Sequence, residues 1–173
     1  MGTMERSFVE MRLREYAEDE HYLEVSYLRH MYERHINLTD DDLRVRLRRD
    51  HMKMASRFTM SMGALRQVIR MTLCQKDNLN YLRQALYESK GEVNPPLISV
   101  VSPVLYRTGK DGVKKEVVTG KCVYRRNPGE VCELRHLVVV ITAIPGVGLT
   151  GGLPRFKIVN AFPCEADTEP ERR

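Results

Sequence analysis

Apolar residues recur at helical spacing along the first half of the chain and in short β-branched runs along the second. Residues 7–34 are rich in Glu, Leu, Arg and Tyr and hold no Gly or Pro, a composition that favours one or two helices. Thr39, with Asp42 three residues on, gives a capping-box start ahead of Leu43, Val45 and Leu47, and acids in the first turn complement the helix dipole. A short helix over Asp40–Arg49 is predicted. Leu65, Val68, Ile69 and Leu73 share one helical face, and so do Leu79, Leu82 and Leu86 after a break at Asp77 and Asn78. Both segments read as core helices.

After Gly91 the texture changes. Pro95, Pro96 and Pro103 oppose helix, while Leu97–Val101 is apolar and β-branched. Lys110, Asp111 and Gly112 form a turn signal between strands predicted over 104–108 and 115–118. Asn127, Pro128 and Gly129 form another, ahead of a strand over 133–142. Glycines at 146, 148, 151 and 152 predict a loop leading into a last strand over 155–162. Helices first and strands afterwards is the order of an α+β domain. With 173 residues, 42% of them hydrophobic, the chain fits one core. Residues 165–173 are polar and carry Pro170, and are expected to be a disordered acidic tail.

Charged residues make up 29% of the chain, and the longest apolar stretch, residues 137–144, falls far short of the roughly 20 that span a bilayer. Residues 1–20 mix acids with bases and lack an apolar centre, so they do not read as a signal peptide. The net charge of +5 is unevenly spread. Residues 43–76 hold nine Lys or Arg against one acid, Asp50, whereas residues 165–171 hold four acids and no base. A basic surface of this kind attracts RNA, DNA or an acidic protein. The four cysteines (74, 122, 132, 164) have neither CxxC nor zinc-finger spacing, so a metal site is not expected. Cys122 and Cys132 are placed to face each other across a strand pair, or to be separate buried thiols.

Histidine titrates closest to neutral pH, and His30 and His35 stand close together. Five residues apart on one helix, they would point about 140° away from each other and not form one site.

The segment His30, His35-Ile36, Thr39, the acids at 40–42 and Leu43-Arg44-Val45-Arg46-Leu47 places Arg46 eleven residues after His35. It is followed by Ala55-Ser56-Arg57-Phe58, a helical stretch over 64–82 ending near Asn78 and Leu82, and Gly120-Lys121-Cys122-Val123. The apolar residues 137–141 and Val159-Asn160-Ala161-Phe162-Pro163 complete the series. In order and spacing this resembles the bacterial branch of the ribonuclease A superfamily, known as C-terminal toxin domains of contact-dependent growth-inhibition and related polymorphic toxins.

The resemblance implies an α+β, kidney-shaped catalytic domain over residues 28–164, its helices packed against a bent antiparallel sheet. Residues 1–27 would be an N-terminal helical extension. It implies metal-independent RNA cleavage through a 2′,3′-cyclic phosphate, with no cofactor. His35 would act as base or acid and Arg46 would hold the phosphoryl oxygens. The family's closing Thr and Tyr are Asn160 and Phe162 here. Asn160 can still donate to phosphate, but Phe162 can move no proton, which leaves His136, His30 and Thr142 as candidates for the second proton-transfer group. Phe162 would pack in the core or stack on a base. Arg44, Arg48, Arg49, Lys53 and Arg57 would line a phosphate track or form a solvated helix face, with Lys121, Arg125 and Arg126 opposite. The implied partners are RNA and an acidic immunity protein. The implied setting is a secreted or delivered toxin acting in the target-cell cytoplasm. Two other readings stay open: an RNA-binding module without turnover, and an Arg-rich protein-interaction domain of the antitoxin or adaptor kind.

Overall fold

In the computed structural model, residues 34–144 and 156–165 are described. The predicted extension over 1–27, His30, the glycines at 146–152 and the tail beyond Glu165 lie outside them. The elements are α1 (Asp40–Arg49), β1 (Met54–Phe58), α2 (Met62–Cys74), α3 (Lys76–Glu88), β2 (Leu97–Val101), β3 (Tyr106–Thr108), β4 (Lys114–Glu116), β5 (Gly120–Tyr124), β6 (Asn127–Leu134), β7 (His136–Ala143) and β8 (Phe156–Cys164). The fold is α+β with antiparallel sheets. The expected bent sheet is divided into two three-stranded sheets, ordered β1-β5-β6 and β2-β7-β8, with a two-stranded ribbon of β3 and β4.

The apolar run of β7 is the centre of its sheet and is covered on both faces. Leu137, Val139, Ile141 and Ala143 point into the main core with Ile98, Val100, Phe156, Ile158 and Ala161, under the apolar stripes of α2 and α3. Val138 and Val140 point the other way, with Phe162 and Cys164 beside them. A strand buried on both faces loses the apolar–polar alternation, which explains its continuous hydrophobic sequence. The second sheet is lighter. Ala55 and Val123 face Leu43 and Leu47 of α1, while the alternate positions Ser56, Phe58, Cys122 and Tyr124 face the opposite side.

The strand predicted over 133–142 is two strands in different sheets, broken at Arg135. Buried polar groups fix the crossing. The Thr119 hydroxyl donates to the carbonyls of Leu134 (3.1 Å) and His136 (2.6 Å), and the Ser102 hydroxyl accepts from the Leu137 amide (2.9 Å). Asn127, Pro128 and Gly129 are not the turn that the sequence suggests: they begin β6, and Arg125 and Arg126 make the turn. Asp77 and Asn78 are likewise inside α3, because Gln75 caps that helix by accepting the Asn78 amide (3.1 Å). Asn78 then ties α2 to β2 by donating to the carbonyls of Thr72 (2.8 Å) and Val101 (3.0 Å). β1 carries no strong strand signal and is held by its register with β5.

The two sheets approach where the end of β8 passes β1 and β5. Gly120 permits this: a Cβ there would overlap the Arg57 carbonyl oxygen and the Pro163 ring. No described helix is long and apolar enough to cross a membrane.

Candidate active site around His35

Local chain geometry sets His35 at the junction of the sheets. Residues 34 and 35 are helical, and Asn37, at φ 55°, ends the turn in the left-handed region that Asn tolerates better than most residues. Thr39 then restarts helix: its hydroxyl accepts from the Asp42 amide (3.2 Å), and Asp42 accepts from the Thr39 amide (2.7 Å). The predicted α1 and its capping box are both present.

His35 is 9% exposed. Its Nδ1 lies 2.9 Å from the Ser56 carbonyl oxygen of β1 and 3.5 Å from the Ser56 hydroxyl. A carbonyl only accepts, so Nδ1 carries the proton and the lone pair of the neutral ring is on Nε2. The ring meets Phe58 edge-on, at 6.4 Å between centroids, and lies tilted against Phe162 at 5.9 Å. Phe162 therefore belongs to the wall of this site.

Arg46, 7% exposed, reaches from α1 to the backbone just before His35. Its Nη1 donates to the carbonyl of Arg34, the residue before His35, and its Nη2 contacts the Met52 sulfur at 3.9 Å. Nε is buried without a hydrogen-bond partner. Burial first, then the neighbouring Arg34 charge, lowers the guanidinium pKa, against the opposing pull of Asp50. The group stays cationic. Arg34 and Arg49 both bind Asp50, at 3.0 and 2.7 Å, so two arginines share one carboxylate, whose charge also acts on Arg46.

Asn160 and Phe162, two apart on β8, share one face of the sheet. The register shifts between Val140 and Ile141, so that Val159 is an extra residue beside Asn160. Such bulges re-aim side chains and occur often near active sites. The Asn160 Oδ1 is buried with no partner, an unused acceptor close to the His35 ring's Phe162 wall.

The other candidates divide. His136 opens β7 on the face of Val138, which pairs with Phe162. Its Nδ1 lies 2.8 Å from the Ser102 carbonyl oxygen, so both described histidines of this region are anchored alike, with the lone pair on Nε2. Thr142 is at the far end of β7, about 13 Å along the strand from Val138, and its hydroxyl donates to the Pro96 carbonyl (3.1 Å). Arg44 is engaged by Asp41 (2.6 Å) and the Pro128 carbonyl (2.8 Å), and Arg57 binds Asp40 (2.8 Å). Lys121, paired with Arg57, points to the α1 side of its sheet, away from the face of Ser56. Arg49 and Lys53 are exposed. These cations are spread around α1 and β1 rather than gathered in one track. No cluster of three or more His, Cys, Asp or Glu among the described residues could hold a metal.

The anchoring of His35 by Ser56 is the feature that sequence reasoning missed.

No family model matches the chain, and no curated protein matches it. Among solved structures, a chain in the crystal structure of the CdiA-CT/CdiI complex from Y. kristensenii 33638 matches with a TM-score of 0.52 at 20% identity. The match covers 78% of this chain and 98% of that one. The two chains share a fold. At that identity the likeness concerns the fold and not the chemistry.

Proposed function

We propose that this chain is a metal-independent endoribonuclease of the ribonuclease A-like toxin type, cleaving RNA through a 2′,3′-cyclic phosphate. One observation carries the reading: the His35 imidazole, its Nδ1 fixed on the Ser56 carbonyl, packs against Phe162, while Arg46 holds the carbonyl of Arg34, the residue just before it. The fold shared with a chain of the CdiA-CT/CdiI complex supports the toxin setting. It also supports a dedicated partner protein that covers the site, for which the basic surface around α1 favours an acidic one.

His35 Nε2 takes the proton of the ribose 2′-hydroxyl, and the resulting oxyanion attacks the adjacent phosphorus. The Ser56 carbonyl stabilises the imidazolium that forms, because it accepts from Nδ1 in both protonation states. Arg46 supplies positive charge where the phosphorane gathers negative charge, and Asn160 can donate its amide N–H to a phosphoryl oxygen. Phe162 cannot deliver the proton to the leaving 5′-oxygen. His136, anchored like His35 and on the same sheet face as Phe162, is the side chain we assign to that role.

The absent hydroxyl at Phe162 favours a second reading, an RNA-binding module that has lost turnover. Incubation with total RNA in EDTA separates the two. Cleavage leaving cyclic phosphate ends is expected, falling about 10²- to 10⁴-fold in His35→Ala. A comparable fall is expected in His136→Ala, and a gain in Phe162→Tyr. Cleavage that persists in His35→Ala would refute the site, and an inactive wild type that still binds RNA would establish the second reading.

A further inference from the structure

Behind Ser56, two thiols that the proposed chemistry does not use lie in one row across the lighter sheet. Ser56 of β1 pairs with Cys122 of β5, and Cys122 pairs with Cys132 of β6. Both cysteines are thiols in this structure. Directly opposed residues of an antiparallel pair have Cα atoms about 4.5–5.5 Å apart, inside the 4.4–6.8 Å range that a disulfide requires. As directly paired residues their side chains project to the same face, near enough for each thiol to act on the other's charge.

Their surroundings differ. Cys122 is fully buried at 0% exposure, whereas Cys132 is partly open. Burial, more than the neighbouring Cys132, pushes the Cys122 thiol up to about 11, which keeps it protonated and unreactive at neutral pH. One contact acts in the other direction: the Tyr124 hydroxyl, two residues along β5, favours the Cys122 thiolate when its one proton turns from Glu165 to the sulfur.

We propose that Cys122 and Cys132 are a reversible cross-strand redox pair that clasps β6 to the strand backing Ser56, with Cys132 as the entry thiol. The oxidant is a low-molecular-weight disulfide. The Cys132 thiolate attacks one of its sulfurs, forms a mixed disulfide and releases one thiolate. Cys122 then attacks the Cys132 sulfur, its proton passes to the departing thiolate, and the second small thiol leaves. Two protein thiols are oxidised, and one small disulfide is reduced to two thiols. Tyr124 is a positioning residue for the second step, stabilising the Cys122 thiolate as it forms.

The clasp is independent of RNA cleavage, and its test reads neither activity nor RNA. The purified chain is treated with oxidised glutathione and followed by intact mass, peptide mapping and thermal melting. The expected result is a loss of about 2 Da, one crosslinked peptide pair joining Cys122 to Cys132, and a Tm raised by about 5–10 °C, as expected for a short closed loop. Dithiothreitol should reverse all three. Cys132→Ser should form no bridge and show no rise, and Tyr124→Phe should accumulate the mixed disulfide at Cys132. Four thiols still alkylatable after oxidation, a bridge that uses Cys74 or Cys164, or an unchanged Tm in the bridged protein would overturn the proposal.

Discussion

The two sheets of this protein are built differently. The β2-β7-β8 sheet lies against α2 and α3 through an extended apolar core, and its central strand is covered on both faces. The β1-β5-β6 sheet rests on α1 through four buried residues: Leu43, Leu47, Ala55 and Val123. The charged and polar contacts concentrate in this smaller half, with the Thr39 capping box, the Arg57–Asp40 ion pair and the arginines around Asp50. His35 sits where the halves meet, anchored to the polar sheet through Ser56 and packed against the apolar one through Phe162. One half supplies rigidity by burial, and the other supplies directed hydrogen bonds. A proton-transfer site needs both, because Nε2 has to be aimed and also kept from water.

The contrast is broken most severely in the apolar half. Ile141 is fully buried at the centre of β7, and Ile141→Ala removes packing on which both helices depend. The expected loss is about 2–5 kcal/mol with global unfolding, measured by urea titration. Leu47→Ala should fall at the low end of that range, because its cluster is small and α1 can settle. Hydrogen exchange should then show α1 opening while the β7 amides stay protected. Equal losses with equal loss of protection in both variants would show that the two halves unfold as one unit.

The same division explains what the sequence revealed. α1 was legible to the residue because capping and dipole signals are local, and β2 was legible because a β-branched run between prolines has few alternatives. The break at Arg135 was not, since β6 and β7 differ by their tertiary partners and a single residue separates them. β1 was missed as a strand for a related reason: Met-Ala-Ser-Arg-Phe becomes one only by pairing with β5, more than sixty residues away. Of the candidate site, His35, Arg46 and Phe162 were named from spacing and resemblance. The Ser56 carbonyl that orients the imidazole was invisible, because a backbone acceptor leaves no side-chain signature.

A milder perturbation sharpens the comparison. Thr39→Ala removes one side of the capping box, leaving the Asp42 amide without its acceptor at the start of α1. The cost should be about 1 kcal/mol. It should appear as a lowered Tm together with faster exchange in α1, since α1 packs mainly on β1 and β5. Unchanged exchange in α1 would mean that packing through Leu43 and Leu47 alone fixes the helix.

The smallest expected effect is the acid response, and its sign follows from the carboxylates. The Thr39 amide, then the Thr39 hydroxyl, hold Asp42 below its ordinary pKa, and the hydrogen bond from Arg49 does the same for Asp50. A carboxylate depressed in the folded state contributes stability in full above its unfolded pKa, about 3.9, and loses that contribution as pH falls through the lower folded value. Both groups belong to α1 and its C-cap, so acidification below pH 4 should loosen α1 and the arginine cluster behind His35 before it reaches β7. Both are also solvent-accessible, so the change should be gradual and weakened by salt. Hydrogen exchange between pH 4 and 2, normalised for intrinsic rates, measures it. Protection lost in α1 while β7 and β8 keep theirs is the expected outcome, and simultaneous loss in both would show that the two halves respond to acid as one unit.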